Sequence, residues 1–435
     1  MLPSSPSSIS RRSLLRSALA VGGAAALGSG LAACGSSGGG SGSSSKQLNL
    51  WHWEEGSQEP LNQVIQEFQS ANPGLTIKPR FMPYASYNTT LQAALAAKSE
   101  PDIFFPGVAL TALGKAGRTL DLKKELGESF TSQFFDSVNQ QATYNGGQYG
   151  VAFNAQIFLL YYNKKILAQA GVEPPETWDD IIRIAPTIRQ KTGVLPVSLY
   201  GNPNNALADF YLPLVTQASD DPSEMYKLDA HDSGTTWNTP HVVEAFQKVA
   251  DLVKAKVFDP GILSVDQDGS YAAYTGSKAA LMFTGSFFLP TLYTTASKDF
   301  MANEFAFTKT PAWKTGARHW AGDQSGSVFS VSARSGNKTA ALDFLKFMYE
   351  PGRYSKLMND SSAMPATKAA TAQVKDENVK KQAGWLADGD GAPHILFGEG
   401  SFTAVANATA GVFQGKYNPT QAAAAVETAV VQARR

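Results

Sequence analysis

The chain has 435 residues, with 37 basic against 37 acidic side chains and a single cysteine. Such balance excludes the strongly basic face that a nucleic-acid partner would favour, and one thiol excludes an intramolecular disulfide. Stability must then come from buried apolar surface, and this length suffices for two or three domains' worth of it.

Residues 1–33 carry Arg11, Arg12 and Arg16, no acidic residue, and an apolar run from Ala18 to Leu31. That is the layout of a secretory signal, and the run is too short and glycine-rich for a spanning helix of about 20 strongly apolar residues. Ser10-Arg11-Arg12-Ser13-Leu14-Leu15-Arg16 resembles a twin-arginine export signal, and Leu31-Ala32-Ala33-Cys34-Gly35 resembles the lipobox of bacterial lipoproteins. The lipobox resemblance implies diacylglycerol on Cys34 and cleavage before it, giving a signal peptide over 1–33. Gly35–Ser45 contains only Gly and Ser, cannot bury apolar surface, and makes 34–46 a lipidated cysteine with a flexible tether.

A strand is expected at Leu48–Trp51, then a helix whose Leu61, Val64, Ile65 and Phe68 share one face, stopped by Asn72-Pro73-Gly74. Leu75, Ile77 and Phe81 predict a second strand, Leu91 and Leu95 a second helix, and Ile103–Phe105 a short buried strand. The alternation continues through Gly150–Tyr162 and a helix opened by a Thr177/Asp180 capping box, with Trp178, Ile181, Ile182 and Ala185 as its buried face. Helices at Val242–Val253 and Ala340–Met348, with strands at Ala279–Phe283 and Ser327–Val331, complete an α/β pattern built from βαβ units.

The order of several short pieces carries a resemblance. They are Leu48–Trp53 before a helix, Asn72-Pro73-Gly74, Pro101-Asp102-Ile103, Tyr149–Ala152, Tyr161–Lys164, Pro175–Trp178, Gly276 with Ala279–Gly285, and Ala340–Phe347. In this order the chain resembles the family 1 extracellular solute-binding proteins of ABC importers, the group that binds carbohydrates. The resemblance implies a two-lobed periplasmic-binding-protein-like fold of type II, with ligand in the cleft between lobes joined by hinge strands. One lobe would be 47–154 plus 316–363 and the other 155–315 plus 364–435. It further implies a monomer, held by lipid to the outer face of the cytoplasmic membrane, that captures a mono- or oligosaccharide for the permease subunits.

A neutral sugar offers hydroxyls and flat C–H patches, so its site needs aromatic faces and fixed carboxylates or amides. Trp53, Glu54 and Glu55 follow the first strand, where similar proteins place stacking and carboxylate contacts; alternation makes Trp51 core, and either glutamate could instead serve the positive end of the next helix. Asn154 lies where related proteins cross between lobes, and Phe105 ends a strand toward the cleft, whereas Asp102 is expected to bind backbone. From the second lobe come Trp237 and Phe287, the latter at a position where family members often carry tryptophan. Trp320 and Asp323 form an aromatic and carboxylate set before a buried strand. Tyr84 and Tyr87 precede a helix from which one could reach the cleft, though a surface loop is the expectation for either.

Other chemistries find little support. A glycoside hydrolase needs two carboxyls about 5 to 9.5 Å apart, which adjacent Glu54 and Glu55 do not establish. Five scattered histidines without a His-Glu-x-x-His pattern argue against a metal site, and no phosphate-binding Gly-x-x-x-x-Gly-Lys-Ser/Thr occurs, so no cofactor is expected. Tyr161-Tyr162 ends an apolar strand and reads as structural rather than as an iron site. A polyamine or other small solute on the same scaffold is the remaining alternative, because the candidate loops carry carboxylates and no arginine or lysine.

Overall fold

The computed structural model describes residues 46–435 apart from 232–233, 325–326 and 395–399. The expected signal peptide, Cys34 and nearly all of the tether lie outside the described residues. In chain order the elements that position the site are β1 (Lys46–His52), α1 (Gln58–Ala71), β2 (Leu75–Phe81), α2 (Tyr84–Ala96), β3 (Ile103–Phe104), β4 (Val151–Ala152) and β5 (Gln156–Asn163). There follow α3 (Trp178–Thr192), β6 (Leu195–Ser198), α4 (Asn205–Ser219), α5 (Pro240–Lys254), α6 (Gln267–Thr275), β7 (Ala279–Gly285), α7 (Phe288–Thr295) and β8 (Phe305–Lys309). Last come β9 (Ala321–Gln324), β10 (Val328–Val331), α8 (Lys338–Met348), α9 (Pro351–Asp360), α10 (Glu377–Ala387), β11 (Gly391–Pro393), α11 (Ser401–Phe413) and α12 (Pro419–Ala433).

Two sheets result. The first has five strands in the order β2-β1-β3-β10-β4, with β1 parallel to both neighbours and β10 antiparallel to β3 and β4. The second has six strands, β11-β9-β5-β7-β6, with β8 also paired to β5. The chain crosses from the first sheet to the second between β4 and β5, and returns between β9 and β10. Asp102 holds the first sheet as expected, accepting the Asn49 amide at 2.8 Å and the Ser335 hydroxyl at 2.6 Å.

Local sequence explains the helices. Leu61, Val64, Ile65 and Phe68 recur at helical spacing and are all buried, with Phe68 edge-on to Phe344 and Phe347 of α8. At α3 the Thr177 hydroxyl accepts the Asp180 amide at 3.1 Å while Asp180 Oδ2 accepts the Thr177 amide at 3.0 Å, closing the capping box. The Arg183 guanidinium beside Asp180 holds its carboxyl below the usual range. Trp178, Ile181, Ile184, Ala185 and Ile188 form the buried face, so Ile182, expected there, is only half-buried because it lies off that stripe.

Lobe boundaries differ from expectation at two places. Residues 321–324, expected in the first lobe, pair with β5 and β11 of the second sheet; Gln217 of α4 reinforces this by donating to the Trp320 carbonyl at 2.9 Å. Conversely, the segment just after 363 stays on the first lobe. The Phe135 amide donates to Ala366 O at 3.1 Å and the Lys368 amide to Gln133 O at 3.1 Å.

Candidate functional site

A cleft of about 420 Å³ opens between the two sheets. Its first wall is the loop between β1 and α1, at the carboxyl end of a parallel strand, where open α/β sheets place ligands. Trp53 is half-buried there and meets Tyr84, Tyr87 and Phe105 edge-on at 5.4, 4.8 and 4.8 Å. Behind it, the Tyr87 hydroxyl donates to Trp51 O at 3.2 Å and accepts the Phe105 amide at 3.0 Å, tying β1 to the end of β3. Gly107, at φ +56°, turns the chain close to the Trp53 ring: a Cβ there would lie 3.8 Å from its Cη2 in a left-handed conformation that side chains disfavour.

Glu54 sits at the junction of both crossing segments. Its Oε1 accepts the Ser327 hydroxyl, and Asn154 Oδ1 accepts the Ser327 amide at 3.3 Å and the Gln156 side-chain amide at 3.2 Å. Burial pushes the Glu54 carboxyl above its ordinary value, opposed by hydrogen bonds from Ser327 and Asn154. Glu55 lines the same wall but is exposed, and its carbonyl accepts the Gln58 amide at 3.2 Å as α1 begins.

The second wall is polar and aromatic. Tyr200 follows β6, Asn205 and Asp209 lie on α4, Asp266 to Asp268 open α6, and Phe287 stands just after β7. Asp266 caps α6, its Oδ1 accepting the Gly269 amide at 2.8 Å. Asp209 Oδ1 lies 2.9 Å from Nε2 of His394, a fully buried ring stacked on Phe158 at 4.1 Å. Phe287 is half-buried and edge-on to Phe158 at 5.8 Å; glycine at 285 makes room for it, since a Cβ there would fall 2.1 Å from the Phe287 ring.

Of the residues singled out from sequence, Trp53, Glu54, Glu55, Asn154 and Phe287 line this cleft. Four others do not. Phe105 is fully buried, packed on Phe329 at 4.6 Å behind Trp53. Trp237 is fully buried in the core of the second lobe, its backbone amide donating to Glu427 at 2.7 Å. Trp320 is 8 % exposed; its Nε1 donates to Asp220 at 2.8 Å and the Arg318 guanidinium lies 4.5 Å above its ring. Asp323 is fully buried on β9 against Ser137, and burial pushes its carboxyl up to about 7. Trp51, read as core, is half-buried beneath Arg80 at 4.8 Å.

The unexpected cleft residues include Tyr84 and Asp209. Tyr84 lines the cleft instead of a surface loop because it begins α2 directly beyond the end of β2, the topological position already used for Trp53. Asp209 had a usable signal, a lone carboxylate in a helix whose residues from Ala206 to Gln217 are otherwise buried. Among the described residues no group of His, Cys, Asp and Glu could hold a metal, and no helix is long and apolar enough to cross a membrane.

Residues 53–353 match the family described as bacterial extracellular solute-binding protein. A putative binding protein of Brucella abortus is 21 % identical over 365 residues, covering 82 % of this chain and 86 % of its own. The multiple sugar-binding protein of Streptococcus mutans is 25 % identical over 302 residues, 66 % of this chain and 67 % of that one. Among solved structures, the GacH receptor of Streptomyces glaucescens, determined unliganded and with acarbose, shares the fold at a TM-score of 0.75 and 23 % identity, over 89 % of this chain and 98 % of that one.

Proposed function

Because the chain belongs to the family of bacterial extracellular solute-binding proteins, we propose that it captures a mono- or oligosaccharide outside the cell, unaltered, and delivers it to the permease of an ABC importer. The family consists of binding proteins for transport, not enzymes. Lipid on Cys34 would keep the receptor at the outer face of the cytoplasmic membrane.

The observation that carries the sugar reading is the pairing of Trp53 with Glu54 and Asn154 on one wall of an interlobe cleft. An aromatic face beside acceptors already fixed by Ser327 suits the C–H patch and hydroxyls of a pyranose. The ligands named for the Streptococcus and Streptomyces relatives, sugars and acarbose, support the same reading. A thermal-shift screen of the full chain against a broad sugar panel tests it, since a ligand that binds only the folded state raises the melting temperature. A response to spermidine with none to any sugar would move the assignment to a polyamine.

A further inference from the structure

We propose that the captured sugar carries a protonated amine, and that the Asp209 carboxylate is its counter-ion. The inference rests on the sugar-binding reading above and narrows the class of sugar.

The cleft has a one-sided charge. Glu54 and Glu55 line it from the first wall, Asp209, Asp266 and Asp268 from the second, and no lysine, arginine or histidine lines it among the described residues. The internal segments outside those residues, 232–233, 325–326 and 395–399, contain none of the three residue types either. An acid or phosphate group on the solute would find no fixed cation to meet it.

Asp209 stands apart from the other four. Glu54 is held by Ser327 and raised by burial, Asp266 is spent on capping α6, and Glu55 and Asp268 are exposed at the edge. The Asp209 side chain is 15 % exposed and oriented from behind by His394, whose own side chain is fully enclosed and does not reach the cleft wall. Burial pushes the phenols of Tyr84, Tyr200 and Tyr271 up, and the neighbouring Asp209 carboxylate adds to this as a lesser cause. Tyr84 and Tyr200 line the cleft with it. A fixed carboxylate among aromatic rings is the surround that favours an ammonium twice, through a charge-assisted hydrogen bond and through the ring faces. A neutral hydroxyl also makes a charge-assisted hydrogen bond to the carboxylate, but it gains no cation attraction from the rings and leaves the negative potential uncompensated.

Calorimetric titration of the purified full chain with glucosamine and its β-1,4-linked oligomers, against the N-acetylated series and the glucose series of equal length, tests the proposal. The expected result is binding of the amine series at least about tenfold tighter than either neutral series, weakening as salt is raised. Asp209→Asn should abolish that preference. Should this variant fail to fold, the salt dependence in the unaltered protein decides. Equal or tighter binding of a neutral series overturns the proposal and leaves the sugar reading in place. Binding of spermidine with no response to any sugar overturns both, and no binding of any of the three series overturns the amine assignment.

Discussion

The phenol oxygen of Tyr84, at the start of α2, accepts a hydrogen bond at 3.3 Å from the side-chain amide of Asn205, at the start of α4. One belongs to the first lobe and the other to the second, so the bond bridges the cleft. Gly56 lies close to the second lobe: a Cβ added there would fall 2.8 Å from Pro290 Cβ on α7. At both points the two lobes approach each other across the cleft. Tyr84→Phe removes one partly buried hydrogen bond and should weaken solute binding by about 0.5–1.5 kcal/mol. Gly56→Val should hold the lobes apart, lowering affinity and raising the radius of gyration in small-angle scattering with saturating solute; an unchanged radius would show that the contact does not limit closure.

Two tryptophans should separate binding from folding. Trp53→Ala removes the aromatic face of the cleft, and calorimetry should record a loss of about 1–3 kcal/mol in affinity. Trp237→Ala instead opens a cavity in the second-lobe core and should cost about 3–5 kcal/mol of stability, read by denaturant unfolding, while the folded fraction binds as before. Lost affinity in the Trp237 variant at full folding would contradict its placement.

Asp323 makes folding depend on pH. Its folded carboxyl sits at about 7 through burial, above the ordinary Asp value of 3.8. Between these two values the folded state holds a proton that the unfolded chain has released, so stability falls as pH rises through that window and is lowest above it. The integrated effect is on the order of 4 kcal/mol. Asp323→Asn should therefore be more stable than the parent at pH 8, and the difference should vanish near pH 4. A parent no more sensitive to pH than the variant would refute this.

The proposed lipid anchor is on Cys34. Cys34→Ser in the native host should release the chain from the membrane fraction, and labelled fatty acid should be incorporated only into the parent. Membrane retention of an unlabelled variant would exclude the lipid anchor.

Much of the fold was legible because it follows from local rules. The i, i+3, i+4, i+7 spacing at Leu61–Phe68, the Thr177/Asp180 box and the backbone role of Asp102 each depend on neighbours close in sequence or on one strand end. The site was legible only where it follows a strand, as at Trp53–Glu55 and Asn154. Trp320 and Asp323 precede a buried strand as read, yet they belong to the other sheet, a choice made by the β5 ladder and by Gln217, more than a hundred residues upstream of Trp320. Tyr84 and Asp209 line one cleft only because the starts of α2 and α4 meet across it. That meeting is tertiary and leaves no periodic trace.

The proposed role of the cleft is to bind a sugar and leave it unchanged. Isothermal titration of the full chain with the best sugar from the thermal screen, followed by chromatography of the recovered ligand, tests it most directly. Saturable one-to-one binding is expected, abolished or weakened by Trp53→Ala, with the sugar recovered intact. Absence of binding by every sugar, or recovery of hydrolysed product, would contradict it.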